Sequence, residues 1–147
     1  MIIETSSWGN IEVAEEQVFR FDKGIPGFES YKQFALLEMG EEPFGYLQSV
    51  EDKDVSFMLA DPFVFYPDYE FELPDSEADE LGIDEQIVIR NVLTIREPLE
   101  QSTVNLLAPL VLNPIKRTAK QIVLNQSNYQ TGHLLWKSSP STTKGDK

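Results

Sequence analysis

Nine carboxylates and no cation stand in residues 67–85, PDYEFELPDSEADELGIDE. Acids at this density can coordinate a divalent cation, work in pairs as general acid and base, or form one half of an electrostatic contact with a basic partner; they can also do no more than keep a face wet. Spacing tests the first of these. Asp75, Glu77 and Asp79 fall at the first, third and fifth positions of a calcium loop. The sixth is then Glu80, where the sharp turn needs glycine, and the twelfth is Gln86, where a bidentate glutamate is required. The stretch reads as a solvated, capped turn.

Other catalytic chemistry finds few carriers. The single histidine, His133 in NYQTGHLLW, has no assignable nucleophile beside it and reads as a surface or strand-end residue. There is no cysteine, which excludes disulfides, thiolate nucleophiles and cysteine-based metal sites. Gly24 and Gly27 make neither a dinucleotide-binding nor a P-loop pattern. Paired-carboxylate chemistry, as in a carbohydrate-active enzyme, would need a cleft to hold the pair. The expectation is a non-enzymatic protein without metal or cofactor.

Charge points to the kind of partner. Residues 1–100 carry 24 acidic and 6 basic side chains, and residues 101–147 carry 1 and 6, within a net −13. So acidic a body is repelled by a phosphate backbone, despite the small basic group Lys116, Arg117 and Lys120. A nucleic-acid binder would need basic and aromatic residues interleaved on one face. A basic protein is the better fit. The N-terminus MIIETSSWGN lacks the pattern of a secretory signal, and no run approaches a membrane span, so a cytoplasmic, membrane-free protein is expected.

The elements that must position these acids are mostly strands. The periodicity is mostly two: QVFRF sets Val18 against Phe19 and Phe21, and QFALLEM, FGYLQSV and VSFMLA follow, the runs being separated by the turn signals GIPGFE, GEEP and EDKD. EQIVIRNVLTI and STVNLLAPLVLN supply two long apolar strands and AKQIVLN a third. DYEFEL sets Tyr69, Phe71 and Leu73 against Asp68, Glu70 and Glu72, the pattern of a half-buried strand with a carboxylate row outside. PDSEADELG predicts one short helix, with Ser76 and Asp79 as a capping box and Gly82 as its end. The fold class is therefore all-β, a small antiparallel barrel-like domain over residues 1–138. The polar end SSPSTTKGDK predicts a disordered tail over 139–147. Most aromatics read as core, with Tyr66 and Tyr69 as candidate partner anchors because their hydroxyls tolerate water.

Five blocks together resemble one family. FDKGIPGFE at 21–29, FGYLQSVED at 44–52, DPFVFYPDYEFEL at 61–73, STVNLLAPLVLN at 102–113 and KQIVLN at 120–125 are similar, in order and spacing, to FliW, the bacterial flagellar assembly factor. The resemblance implies a small β fold in the cytoplasm and a non-enzymatic role as a partner switch. In that role the protein binds newly made flagellin. Once flagellin is exported, the freed protein binds CsrA, a basic homodimeric RNA-binding repressor of flagellin translation, and antagonises it away from its RNA surface. The residues nominated for the CsrA contact are Asp68, Tyr69, Glu70, Glu72, Glu77, Asp79 and Glu80, on a chain expected to be monomeric when free.

Overall fold

The computed structural model describes residues 1–136 except Met39, Glu41 and Gln126. The expected tail at 139–147 lies outside the described residues. Seven strands close a ring: β3 (Val18–Arg20), β4 (Gln33–Glu38), β5 (Phe44–Ser49), β6 (Ser56–Ala60), β7 (Val88–Thr94), β9 (Leu110–Asn113) and β10 (Thr118–Gln121). Neighbours from β3 to β7 pair antiparallel in chain order. The ring then closes through β7 on β9, with Ile89 opposite Val111, and β9 on β10, with Ala119 opposite Leu112. The fold is the expected small antiparallel barrel, closed at its last seam by one parallel pair, Thr118 of β10 and Arg20 of β3. Closure removes the open sheet edges that a flat arrangement would leave.

Outside the ring, β1 (Ile2–Thr5) and β2 (Gly9–Glu12) form a hairpin whose Ile3 packs with Val13 against Ala35. The run STVNLLAPLVLN is not one strand. Its start gives β8 (Thr103–Val104), which extends the sheet beyond β7 and carries β11 (His133–Leu134), and its end gives β9. Between them the Asn105 side chain accepts from the Ala108 N–H at 3.0 Å, and Pro109 has no N–H to give to a ladder.

Period two in the sequence becomes inside and outside of the barrel. Every ring strand contributes to the interior cluster: Phe19, Phe34, Leu47 and Leu59, with Val92, Leu112 and Ala119 completing the circuit. On β7 and β9 the outward positions are buried as well. Ile89, Leu93 and Val111 join a second cluster with Tyr69, Leu81, Val104, Leu106 and Leu135. Two buried faces explain why apolar residues stand at successive positions in these strands, at Val88 and Ile89, at Val92 and Leu93, and from Leu110 to Leu112.

What covers that outer wall is the excursion between β6 and β7. It begins with α1 (Pro62–Phe65), a helix beyond the single one expected, and continues through an extended stretch into α2 (Asp75–Leu81). The start of α1 is chemically simple: the Asp61 carboxylate accepts from the Phe63 N–H at 3.1 Å, and Pro62 stands where no N–H is needed.

DYEFEL is also corrected. Its burial alternates as expected, but it has no ladder partner and is not a strand. The alternation arises because an extended chain lies flat on the barrel wall, with Phe71 and Leu73 packed inward and Asp68, Glu70 and Glu72 exposed.

Candidate partner-binding site

Each nominated acid has a position set by what anchors its neighbours. Tyr69 is the main anchor and not a surface contact, which corrects the sequence expectation: it is 4% exposed. Its hydroxyl donates to the Leu106 carbonyl at 2.7 Å and accepts from Asn91 Nδ2 at 3.3 Å. Burial pushes the phenol up to about 12, the Asn91 hydrogen bond pulling slightly the other way. The ring packs edge-on to Tyr129, centroids 4.8 Å apart. Tyr129 in turn holds the next residue by its backbone, accepting from the Glu70 N–H at 3.1 Å and donating to its carbonyl at 3.2 Å. Glu70 is thus fixed in place while its carboxylate faces water. Tyr66, the other aromatic candidate, is half-buried and donates its hydroxyl to the Leu134 carbonyl.

The helix that follows starts two residues earlier than a cap at Ser76 implies. Pro74 is the N-cap, its carbonyl accepting from the Glu77 and Ala78 N–H groups at 3.0 and 3.1 Å, and no side chain caps the end. The Ser76 and Asp79 capping box is therefore absent, because both residues lie within the helix. Gly82 does end it, in the left-handed conformation at φ +68°, as an αL cap requires. The terminal carbonyls are taken by buried side chains from the barrel: Asn113 Nδ2 reaches both Leu81 and Gly82 at 3.0 Å, and Thr118 Oγ1 donates to Leu81 at 2.6 Å. A helix running 75–81 cannot also be the calcium loop that its acid spacing imitates.

Lys120 decides which acids remain available. Its ammonium lies 2.6 Å from Glu77 Oε1 and 3.3 Å from Glu80 Oε1. The hydrogen bond to Glu77 is the larger cause of its raised pKa, against a smaller opposing effect of desolvation. Glu77 and Glu80 are therefore partly neutralised. Asp68, Glu70, Glu72 and Asp79 are exposed and carry no ion pair among the described residues. Sequence reasoning missed Asn91, Asn113, Thr118, Lys120 and Tyr129, which hold the site from elements far along the chain.

Beside the carboxylate row runs an open groove of about 840 Å³, bounded by residues 70–75 on one side and residues 122–125 with Ser127 on the other. Phe71, Leu73, Ile122 and Leu124 supply its apolar walls, and Glu70, Glu72 and Asp75 its acidic rim. His133 sits at a strand end, as expected, with Nε2 accepting from the Gln130 N–H at 2.8 Å. Among the described residues no three His, Cys, Asp or Glu side chains are grouped to hold a metal, and no helix is long and apolar enough to cross a membrane.

A closed seven-stranded barrel that braces one acidic excursion from behind defines a β-barrel scaffold whose chemistry lies in surface charge and shape. Residues 2–135 match the model of the FliW protein family. The chain is 44% identical over 136 residues to the flagellar assembly factor FliW of Bacillus subtilis (strain 168), covering 90% of this chain and 95% of that protein. It is 37% identical to the FliW of Caldicellulosiruptor saccharolyticus over 145 residues, 97% and 95% of the two chains. A crystal structure of the flagellar assembly factor FliW superposes with a TM-score of 0.86 at 38% identity, covering 95% of this chain and all of that one. The chain belongs to the FliW family of non-enzymatic flagellar assembly factors.

Proposed function

We propose that this protein is a cytoplasmic partner switch, monomeric when free, that couples flagellin export to flagellin synthesis. It binds flagellin while flagellin is abundant. When flagellin has been exported, it binds CsrA and relieves the repression of flagellin translation. Family membership along residues 2–135 is the observation that carries this reading. The arrangement of the excursion supports it: Asp68, Glu70, Glu72 and Asp79 project from a backbone pinned to the barrel, and preorganised charge costs little to bring to a basic partner. Glu77 and Glu80 flank them and belong to the same face, although Lys120 lowers their share of the field. Tyr69 serves this surface from below.

Calorimetric titration of the purified protein against flagellin and against CsrA, one at a time, tests the reading. Saturable binding of both supports it. Binding of neither partner, by a chain shown to be folded, removes it.

A further inference from the structure

The groove beside the acidic row has a property that its charge alone does not convey: two extended edges with unused main-chain donors. Within residues 122–124, the Ile122 and Leu124 N–H groups donate to the Pro109 and Leu107 carbonyls at 3.0 and 2.8 Å. Successive N–H groups of an extended chain point to opposite edges. Val123 thus offers its N–H on the other edge, and among the described residues neither it nor the N–H of Asn125, at the turn that follows, donates to a protein acceptor. Across the groove none of the Phe71, Glu72 and Leu73 N–H groups donates to a protein acceptor among the described residues, and alternation turns either Phe71 and Leu73 together, or Glu72 alone, toward the groove. Val123, 55% exposed, stands on the open face between them.

We infer that this groove is a docking slot for an extended peptide segment of a basic protein, which enters as an added strand. The alternation of the walls sets the chemistry of the occupant. Its inward residues lie beside Ile122 and Leu124 on one side and Phe71 and Leu73 on the other, so they are apolar. Its outward residues lie beside Glu70 and Glu72, so they are Lys or Arg. Main-chain pairing supplies affinity that is independent of side chain, and the alternating walls supply selectivity. The inference rests on the reading that the acidic face meets a basic protein, and adds the form in which that protein is recognised.

A capped octapeptide of alternating lysine and valine is the probe, with a scrambled peptide of the same composition and an analogue N-methylated at alternate residues as controls. Titration is followed by amide chemical shifts of the full chain. The slot predicts shifts concentrated at residues 71–73 and 121–125, and affinity lower by roughly tenfold or more for both controls, the equivalent of one or two hydrogen bonds. Val123→Lys, at an exposed position that folding tolerates, weakens the alternating peptide. Equal binding of all three peptides, with shifts spread over the carboxylates, would overturn the slot, and so would self-association that protects the same amides. A separate CsrA titration keeps the two readings apart. A peptide seated in the groove without any CsrA binding supports the slot and removes CsrA as the partner. CsrA binding with the peptide excluded from the groove overturns the slot and leaves CsrA standing.

Discussion

Lys120 Nζ lies 2.6 Å from Glu77 Oε1, joining β10 to α2 across 43 positions of sequence. Both side chains are mostly shielded, at 20% and 23% exposure, so the pair is neither a free surface contact nor fully desolvated. It locks the end of the acidic excursion to the barrel wall.

Replacing Lys120 with Met keeps the apolar stem and leaves Glu77 unpaired. The variant should lose about 1 kcal/mol of stability at neutral pH, the scale of one charge-assisted hydrogen bond after screening. The pH dependence has a definite sign. The folded state raises the lysine pKa, so the linked contribution is complete below the ordinary value of 10.5 and is lost as pH rises through the higher folded value. Urea unfolding of both proteins at pH 7 and at strongly alkaline pH measures the difference. Identical stability at pH 7 would mean that the pair contributes nothing.

Tyr69→Phe removes one hydroxyl from a buried network and strands the Leu106 carbonyl. A loss of about 1–2 kcal/mol is expected at neutral pH. Burial keeps the tyrosine protonated in the fold up to about 12, whereas the unfolded chain releases the proton near 10.0. Stability linked to Tyr69 is therefore flat below pH 10 and falls between 10 and 12. The Phe variant should show a shallower alkaline decline, read from thermal midpoints across that range.

Gly24 and Gly27 separate two kinds of backbone demand. Both have positive φ, +70° and +89°. A Cβ at Gly24 would stand 2.5 Å from the Glu29 Cα, whereas one at Gly27 meets open space. Valine at Gly27 should cost about 1–3 kcal/mol through strain alone. Valine at Gly24 must cost more, because main chain has to move. Denaturant midpoints of the two variants give the order, and equal losses would show that the close approach is relieved cheaply.

Much of this architecture was legible in the chain, and the failures share a cause. Strands such as QFALLE and FGYLQS announce themselves because they are short apolar runs bounded by turn residues, with Phe34, Leu36 and Leu47 inside the barrel and Ala35 under the N-terminal hairpin. DYEFEL shows the limit: alternation reports alternate burial, and a chain resting on a barrel wall has the same pattern as a chain in a ladder. The Tyr69 hydroxyl is no reason for exposure, because the Leu106 carbonyl and Asn91 wait for it 37 and 22 positions away. Lys120 and Asn113 were invisible as parts of the site because their partners lie across the fold. The Asp61–Pro62 start of α1 carried a readable signal, an N-cap acid followed by proline, that the run of aromatics after it obscured.

Charge reversal at Glu70 and Glu72 to Lys tests the acidic face without touching its supports. Both carboxylates are exposed and neither is hydrogen-bonded among the described residues, so stability should stay within about 0.5 kcal/mol of the parent. CsrA association should slow, and the difference from the parent should shrink as salt rises and screens the contact. Association kinetics at two ionic strengths provide the check. Unchanged CsrA binding at low salt would move the contact elsewhere on the molecule.

A partner switch requires flagellin and CsrA to compete for one protein. Area does not force this: a standard interface takes roughly 800 Å² from each partner, and the molecule exposes 8400 Å². Exclusion must come from overlapping contacts or from a shifted equilibrium, and in either case linkage is reciprocal. The decisive measurement is the affinity for CsrA at increasing flagellin, paired with the affinity for flagellin at increasing CsrA. Each partner should weaken the other, by the same factor in both directions. A ternary complex formed with both affinities unchanged would contradict it and make the protein a scaffold that holds the two together.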